Sequence, residues 1–241
     1  MTETEVSMKR HFLSPAFLAE NMTGPNSVRI LEELLDGCTL RPGMRVLDLG
    51  CGRGLTSVWL AEQFDVQVFA VDLWIPATEN YRRVCQLGLD GRIVPLHADA
   101  NALPFAEGYF DAMVSVDAYH YFGLEADFFP RVIHPLLKEN ALTAIAVPGM
   151  KQPMQDVPPE MTPYWRPEDL ACWQTVDFWD GRLGSLTERK SWEMACFDTA
   201  WTEWMATDNP YAVSDRPMMA TDGGRYMNLV AVRGKAAPYS G

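Results

Sequence analysis

The stretch Arg45-Val-Leu-Asp-Leu-Gly-Cys-Gly-Arg-Gly-Leu55 decides the fold. Its apolar run, Val46, Leu47 and Leu49, carries one acid, Asp48, and ends in three alternating glycines, Gly50, Gly52 and Gly54. A helical pattern follows over Leu55-Thr-Ser-Val-Trp-Leu-Ala-Glu-Gln-Phe64. Strand, glycine turn and helix in this order form the ligand-facing corner of a doubly wound α/β sheet. Glycine suits such a turn because the chain bends sharply and a ligand approaches backbone that no Cβ covers. The dinucleotide fingerprint G-x-G-x-x-G would need its third glycine at position 55, which is Leu55.

Working outward, Val66-Gln-Val-Phe-Ala-Val-Asp-Leu73 reads as the second strand and terminates in Asp72. A carboxylate at that tip can accept both hydroxyls of a ribose. Leu73 and Trp74 follow and offer apolar cover for one face of a purine ring. The third strand, Arg92 to Ala98, leads into Asp99-Ala100. The fourth, Tyr109 to Val116, ends in Asp117-Ala-Tyr-His-Tyr-Phe122, and the fifth spans Ala141 to Val147. An acid at one strand end is often only a turn residue. Four such ends in succession, each where a doubly wound sheet gathers its ligand contacts, point to a built site.

The D-x-G-x-G-x-G spacing resembles motif I of the class I S-adenosylmethionine-dependent methyltransferases. That resemblance implies a Rossmann-like, doubly wound seven-stranded sheet with an antiparallel last strand, an N-terminal arm and aromatic-rich lid insertions. It also implies S-adenosylmethionine as cofactor, held by Asp48, Gly50, Cys51, Gly52, Gly54, Asp72, Leu73, Trp74, Asp99, Ala100 and Val116. Asp99 would accept from the adenine amino group.

The chain is 241 residues long, 48% hydrophobic and 22% charged, which suits one soluble globular domain. No apolar stretch approaches the ~20 residues that span a bilayer. The opening Met1-Thr-Glu-Thr-Glu-Val-Ser7 is acidic and polar and reads as a frayed tail, not a signal peptide. A net charge of −12 without a basic run argues against a nucleic-acid partner, which needs a positive footprint for phosphates. Cys38, Cys51, Cys85, Cys172 and Cys196 are scattered and form no C-x-x-C pair, as expected for a reducing cytoplasm. Cys51 reads as a small residue beside the ligand, not a nucleophile. No His, Asp or Glu grouping has metal-ligand spacing, so no metal is expected.

The expected organisation is a single methyltransferase domain over 1–241. Residues 8–40 form the arm and a helix, 41–149 the cofactor-binding core, 150–224 the lid and acceptor-shaping region, and 225–234 the last strand. Asn26 is placed to cap the amphipathic helix Ser27 to Leu35. The arm either folds over the cofactor or covers the sheet edge. Pro153, Pro158, Pro159 and Pro163, with Pro167 just beyond, mark 150–166 as a loop or lid. A helix is expected over Pro167 to Trp179, a strand over Gly184 to Met194, a helix over Asp198 to Met205 and the last strand over Arg225 to Arg233. Asp208 to Arg216 reads as a polar turn. Trp165, Trp173, Trp179, Trp192, Trp201 and Trp204 either cage an acceptor or fill the space between helices and sheet.

Methyl transfer needs alignment, exclusion of water and a base wherever the acceptor carries a proton. The segment after the fourth strand faces that chemistry. His120 is the candidate base, with Tyr119 and Tyr121 as orienting groups. The Asn/Asp-Pro-Pro-Tyr/Phe signature of many amide methyltransferases is absent there, which favours a free small-molecule acceptor. An amine is preferred over a hydroxyl, thiol or carbon, from the acidic balance and the tryptophans. The alternatives are a non-catalytic S-adenosylmethionine-binding subunit or sensor, and an aminopropyl transferase on the same fold. Oligomeric state is not specified, a homodimer being among the options.

Overall fold

The computed structural model describes residues 14–238. The acidic tail and the first part of the arm, including His11, lie outside these residues. Seven strands form one sheet in the order β3-β2-β1-β4-β5-β7-β6. They are β1 (Arg45–Leu49), β2 (Gln67–Asp72), β3 (Ile93–His97), β4 (Phe110–Val116), β5 (Leu137–Met150), β6 (Leu186–Glu193) and β7 (Met227–Ala236). β1 pairs in parallel with β2 and β4, β2 with β3, and β4 with β5. β7 runs antiparallel to both β5 and β6. The chain winds outward from β1 to β3, then returns to place β4 on the other side of β1. Strand order therefore reverses between β1 and β4, where doubly wound sheets open a crevice at their carboxyl ends.

The helices are α1 (Pro15–Asn21), α2 (Ser27–Leu34), α3 (Leu55–Phe64), α4 (Ala77–Gln86), α5 (Pro167–Cys172), α6 (Val176–Arg182), α7 (Phe197–Met205) and α8 (Pro210–Asp222). The Asn26 side chain accepts from the Val28 amide at 3.0 Å and caps α2 as its sequence implies. Helical spacing turns Ile30, Leu31 and Leu34 into one cluster with Val46 of β1, Val68 of β2 and Val58 of α3. Burying each such side chain stabilises the fold by about 1.5–3 kcal/mol. The opposite sheet face takes the alternate strand residues, Leu47, Phe69 and Met113, against Phe110, Phe129 and Trp179. A third cluster, with Trp165, Trp201, Trp204, Met161 and Met218, caps the carboxyl end of the sheet.

Three expectations change. The helix over Pro167 to Trp179 is two helices, because Trp173 turns extended and Thr175 caps α6 through the Phe178 amide. The backbone between them is held to the sheet by the amide of Met150 donating to the Gln174 carbonyl at 3.3 Å. The polar turn over Asp208 to Arg216 is instead the start of α8, with Asn209 as its cap and Pro210 in its first turn. β5 extends well beyond Ala141 to Val147, although Asn140 does adopt the left-handed conformation, with φ 61°. Of the proline-rich segment, only Pro159–Met161 forms a regular turn, and Met161 and Trp165 are buried in the third cluster.

Candidate active site

A cavity of about 410 Å³ opens at the crevice between β1 and β4. That volume lies in the range of small-molecule sites, roughly 300–1,000 Å³. Its floor is the glycine turn. Gly50, Gly52 and Gly54 have φ of 76°, 53° and 83°, a region that residues with a Cβ rarely adopt. A Cβ on Gly50 would also stand 2.2 Å from that of Ala118. The turn is pinned from below, where the amides of Gly50 and Cys51 both donate to the Val71 carbonyl at 2.8 and 3.0 Å.

Asp48 does not face the cavity. It is fully buried beneath the turn, where its Oδ2 accepts from the Thr56 and Ser57 hydroxyls at 2.6 and 2.5 Å. It thereby ties β1 to the first turn of α3, whose cap residue, Gly54, has no side chain to do so. Burial raises its pKa to about 6 against the pull of the two hydroxyls. Gly54 likewise shapes the turn without lining the cavity.

Asp72 stands at the tip of β2 on the cavity wall. Its Oδ2 accepts from the Gly52 amide at 2.8 Å, and its Oδ1 from the Trp74 and Ile75 amides, both at 2.8 Å. The carboxylate thus locks the glycine turn to the next loop and keeps unused lone-pair capacity on Oδ2. Asn80 completes this lock, since its Nδ2 donates to the Gly52 carbonyl at 2.9 Å. Sequence patterning gave no signal for Asn80, a polar residue inside an amphipathic helix. Leu73, Trp74, Asp99, Ala100 and Val116 all line the cavity with Cys51. Asp99 is exposed, and its Oδ1 accepts from the Asn101 amide, which lowers its pKa.

The arm forms another wall. Asn21, Thr23, Gly24 and Pro25 line the cavity, and a Cβ on Gly52 would meet Thr23 Oγ1 at 3.3 Å. Arg53 Nη1 donates to the Glu20 carbonyl at 2.9 Å, tethering α1 to the glycine turn. No residue of the proline-rich segment and none of the six clustered tryptophans lines this cavity. Those tryptophans pack between the elements, with Trp179 and Trp204 fully buried.

The segment after β4 departs from its expected placement. Tyr119, His120 and Tyr121 form a tight 3-10 turn, which points successive side chains in different directions. Tyr119 is buried among Phe122, Phe128 and Trp179. His120 is 2% exposed, behind the cavity wall, and burial lowers its pKa to about 3. Such an imidazole is neutral near pH 7 and is a weak base. Only Tyr121 of the three lines the cavity, with its ring 4.9 Å from that of Trp74 at the mouth. The acid that does line it is Asp117, which the sequence showed only as a strand end. Its φ is 56°, its amide donates to the Ala146 carbonyl at 2.8 Å, and its pKa is pushed up to about 7 by burial and by Asp215.

Among the described residues, no group of three or more His, Cys, Asp or Glu side chains is placed to hold a metal ion. No described helix is long and apolar enough to cross a membrane. The bare glycine floor and the acid at the β2 tip fit an adenosyl cofactor: backbone borders the ligand's path, and a carboxylate waits beside it.

Residues 46–140 match the family described as a methyltransferase domain. The chain is 30% identical over 96 residues to the 27-O-demethylrifamycin SV methyltransferase of Amycolatopsis mediterranei, covering 39% of this chain and 35% of that protein. It is 30% identical over 98 residues to phosphoethanolamine N-methyltransferase 3 of Arabidopsis thaliana, covering 41% of this chain and 20% of that one. Both matches thus take in little more than a third, or less, of the relative's length. Among solved structures, phosphoethanolamine N-methyltransferase 2 of Haemonchus contortus in complex with S-adenosyl-L-methionine superposes with a TM-score of 0.72. That match has 17% identity and covers 99% of this chain and 61% of the other, which speaks for the fold. Motif, strand order and family match agree: residues 46–140 resemble the methyltransferase domain of the class I S-adenosylmethionine-dependent enzymes, and the whole described chain shares their fold.

Proposed function

We propose that the protein is an S-adenosylmethionine-dependent methyltransferase that acts on a small-molecule acceptor, an amine first among the options, in the cytoplasm. The observation that carries this reading is the cavity itself, with the left-handed Gly50 and Gly52 on its floor and Asp72 on its wall. Asp72, Leu73, Trp74, Asp99 and Ala100 would hold the adenosyl end, and Gly50, Cys51, Gly52 and Val116 would border the rest. S-adenosylmethionine, when bound, supplies a methyl group activated by a positive sulfur. The chain's own part is alignment, exclusion of water and management of the acceptor's proton. Thr23 and Gly24 of the arm cover the floor, and Trp74 and Tyr121 narrow the mouth.

An amine acceptor draws support from the acidic composition and from the phosphoethanolamine enzymes among the relatives. A rifamycin-type hydroxyl acceptor among them keeps oxygen as the second option. Calorimetric titration with S-adenosylhomocysteine tests the cofactor assignment; an absence of binding would overturn it. Incorporation of labelled methyl into an amine-rich metabolite extract then separates an enzyme from a binding subunit or an aminopropyl transferase.

A further inference from the structure

Asp117 is the least accounted-for charged group on the cavity wall. It follows β4 directly, opposite the glycine turn, where Ala118 packs on Gly50. Its carboxyl lies against the arm, since a Cβ on Gly24 would stand 2.4 Å from Oδ2. Asp215 of α8 is near enough to push the Asp117 pKa up, and its own Oδ2 accepts from Trp204 Nε1 at 2.9 Å. The ion pairs among the described residues include neither carboxylate. An acid on the cavity wall that feels a second acid, with no Lys or Arg ion-paired to either, is costly unless a ligand or a proton compensates. Asp117 also keeps a left-handed backbone that most residues avoid, a strain that concentrates at functional positions.

A second feature points the same way. Tyr121 lines the same cavity close to Asp117, its ring edge to face with that of Trp74 at the mouth. Aromatic faces beside a carboxylate attract an organic cation, since the ring quadrupole and the charge act together.

We propose that Asp117, supported by Asp215, recognises the acceptor as a protonated primary or secondary amine and removes its proton. The N–H bond breaks, the proton moves to a carboxylate oxygen of Asp117, and the electron pair stays on nitrogen as the lone pair that transfer requires. Asp117 touches the acceptor, and Asp215 is a positioning residue that holds negative charge behind it. This deepens the amine reading of the preceding section and rests on it for the identity of the reaction.

The test uses the full chain saturated with S-adenosylhomocysteine. Calorimetric titration follows with a panel of primary and secondary alkyl and aryl amines and their hydroxyl isosteres. The wild type is expected to bind at least one amine tenfold or more tighter than its isostere. Asp117→Asn should remove that preference while S-adenosylhomocysteine affinity stays within twofold, and Asp215→Asn should reduce it two- to fivefold. Equal binding of amines and isosteres across the panel, or of neither, would overturn the proposal. So would a loss of S-adenosylhomocysteine affinity in Asp117→Asn with the amine preference intact, since Asp117 would then serve the cofactor. If S-adenosylhomocysteine does not bind the wild type, the cofactor reading fails, and the same panel on the free protein still decides the role of Asp117.

Discussion

The glycine-turn side of the cavity, from Asp48 to Asn101, is made mostly of backbone. The region beyond β5, from Met150 to Asp222, lines none of that cavity and is made of large side chains. On the first side the contacts that matter are short-range in sequence, such as the Asp72 carboxylate on the amides of Gly52, Trp74 and Ile75. On the second, contacts join distant elements. Glu33 of α2 accepts from Trp192 Nε1 and from the Ala195 and Cys196 amides, and Trp204 of α7 reaches Asp215 of α8. A backbone site depends on conformation and tolerates few residue types. A side-chain site depends on packing and can be reshaped. The first suits a ligand laid along backbone, whereas the second fixes how distant elements pack.

The sharpest break would come at Gly50. Gly50→Val adds the cost of a β-branched residue at φ 76° to a clash with Ala118. Together these are worth about 3–5 kcal/mol. The expected result is a large drop in denaturant midpoint and no measurable S-adenosylhomocysteine binding. A stable variant with intact affinity would mean that the backbone at this turn is not what the ligand needs.

Asp72→Asn tests the same side more gently. It keeps the shape but replaces one carboxylate oxygen by a carboxamide NH2 donor, which must face either the Gly52 amide or those of Trp74 and Ile75. A loss of roughly 1.5–3 kcal/mol in S-adenosylhomocysteine affinity, or ~10- to 100-fold, is expected from charge-assisted bonds. Unchanged affinity by calorimetry would remove Asp72 from the cofactor site.

His120 separates the regions by pH. Its pKa falls to about 3 by burial, below the unfolded value near 6.5. Its stabilisation is therefore fully present above pH 6.5 and lost as pH falls toward 3. At pH 5 the loss is about 2 kcal/mol. Asp48 and Asp117, raised to about 6 and about 7, act oppositely: the folded state keeps protons that the unfolded chain releases, so they add stability as pH falls from 7 toward 4. The two acids together gain more than His120 loses, so the wild type should rise by about 2 kcal/mol between pH 7 and pH 5. His120→Asn removes the opposing contribution, so its unfolding free energy should rise about 2 kcal/mol more steeply over the same range. Parallel pH profiles would show that His120 is not the group that must be charged on unfolding.

The same contrast explains what could be read from residues alone. Motif I, the acid at the β2 tip and the parallel core strands are local patterns, and they stand where spacing places them. Strand limits at β5 and the break at Trp173 depend on pairing with β7 and on the Met150–Gln174 backbone contact, which no local pattern records. His120 drew attention because imidazole chemistry suits a base, yet one turn of 3-10 helix decides which side chain faces the cavity. That turn gave the position to Tyr121. Asp117 read as an ordinary strand-end acid because its significance comes from Asp215, 98 positions further along by their numbers.

The arm is the one part of the glycine-turn side supplied from a distance, and it offers the finest discrimination. Arg53 Nη1 holds the Glu20 carbonyl, while Asn26 anchors the other end through its amide to the Ala200 carbonyl at 3.0 Å. Arg53→Ala removes an exposed tether worth about 0.5–1 kcal/mol, and the anchor at Asn26 remains. Global stability should therefore change little, because α1 adds only a small part of the packed core. Amide exchange over residues 15–24 should speed up several-fold, since local opening is governed by the tether and not by the sheet. Added S-adenosylhomocysteine should slow that exchange again if Thr23 and Gly24 cover a bound cofactor. Exchange that ignores both the substitution and the ligand would make the arm a fixed edge cover. The cavity would then be set by the glycine turn and the strand tips alone.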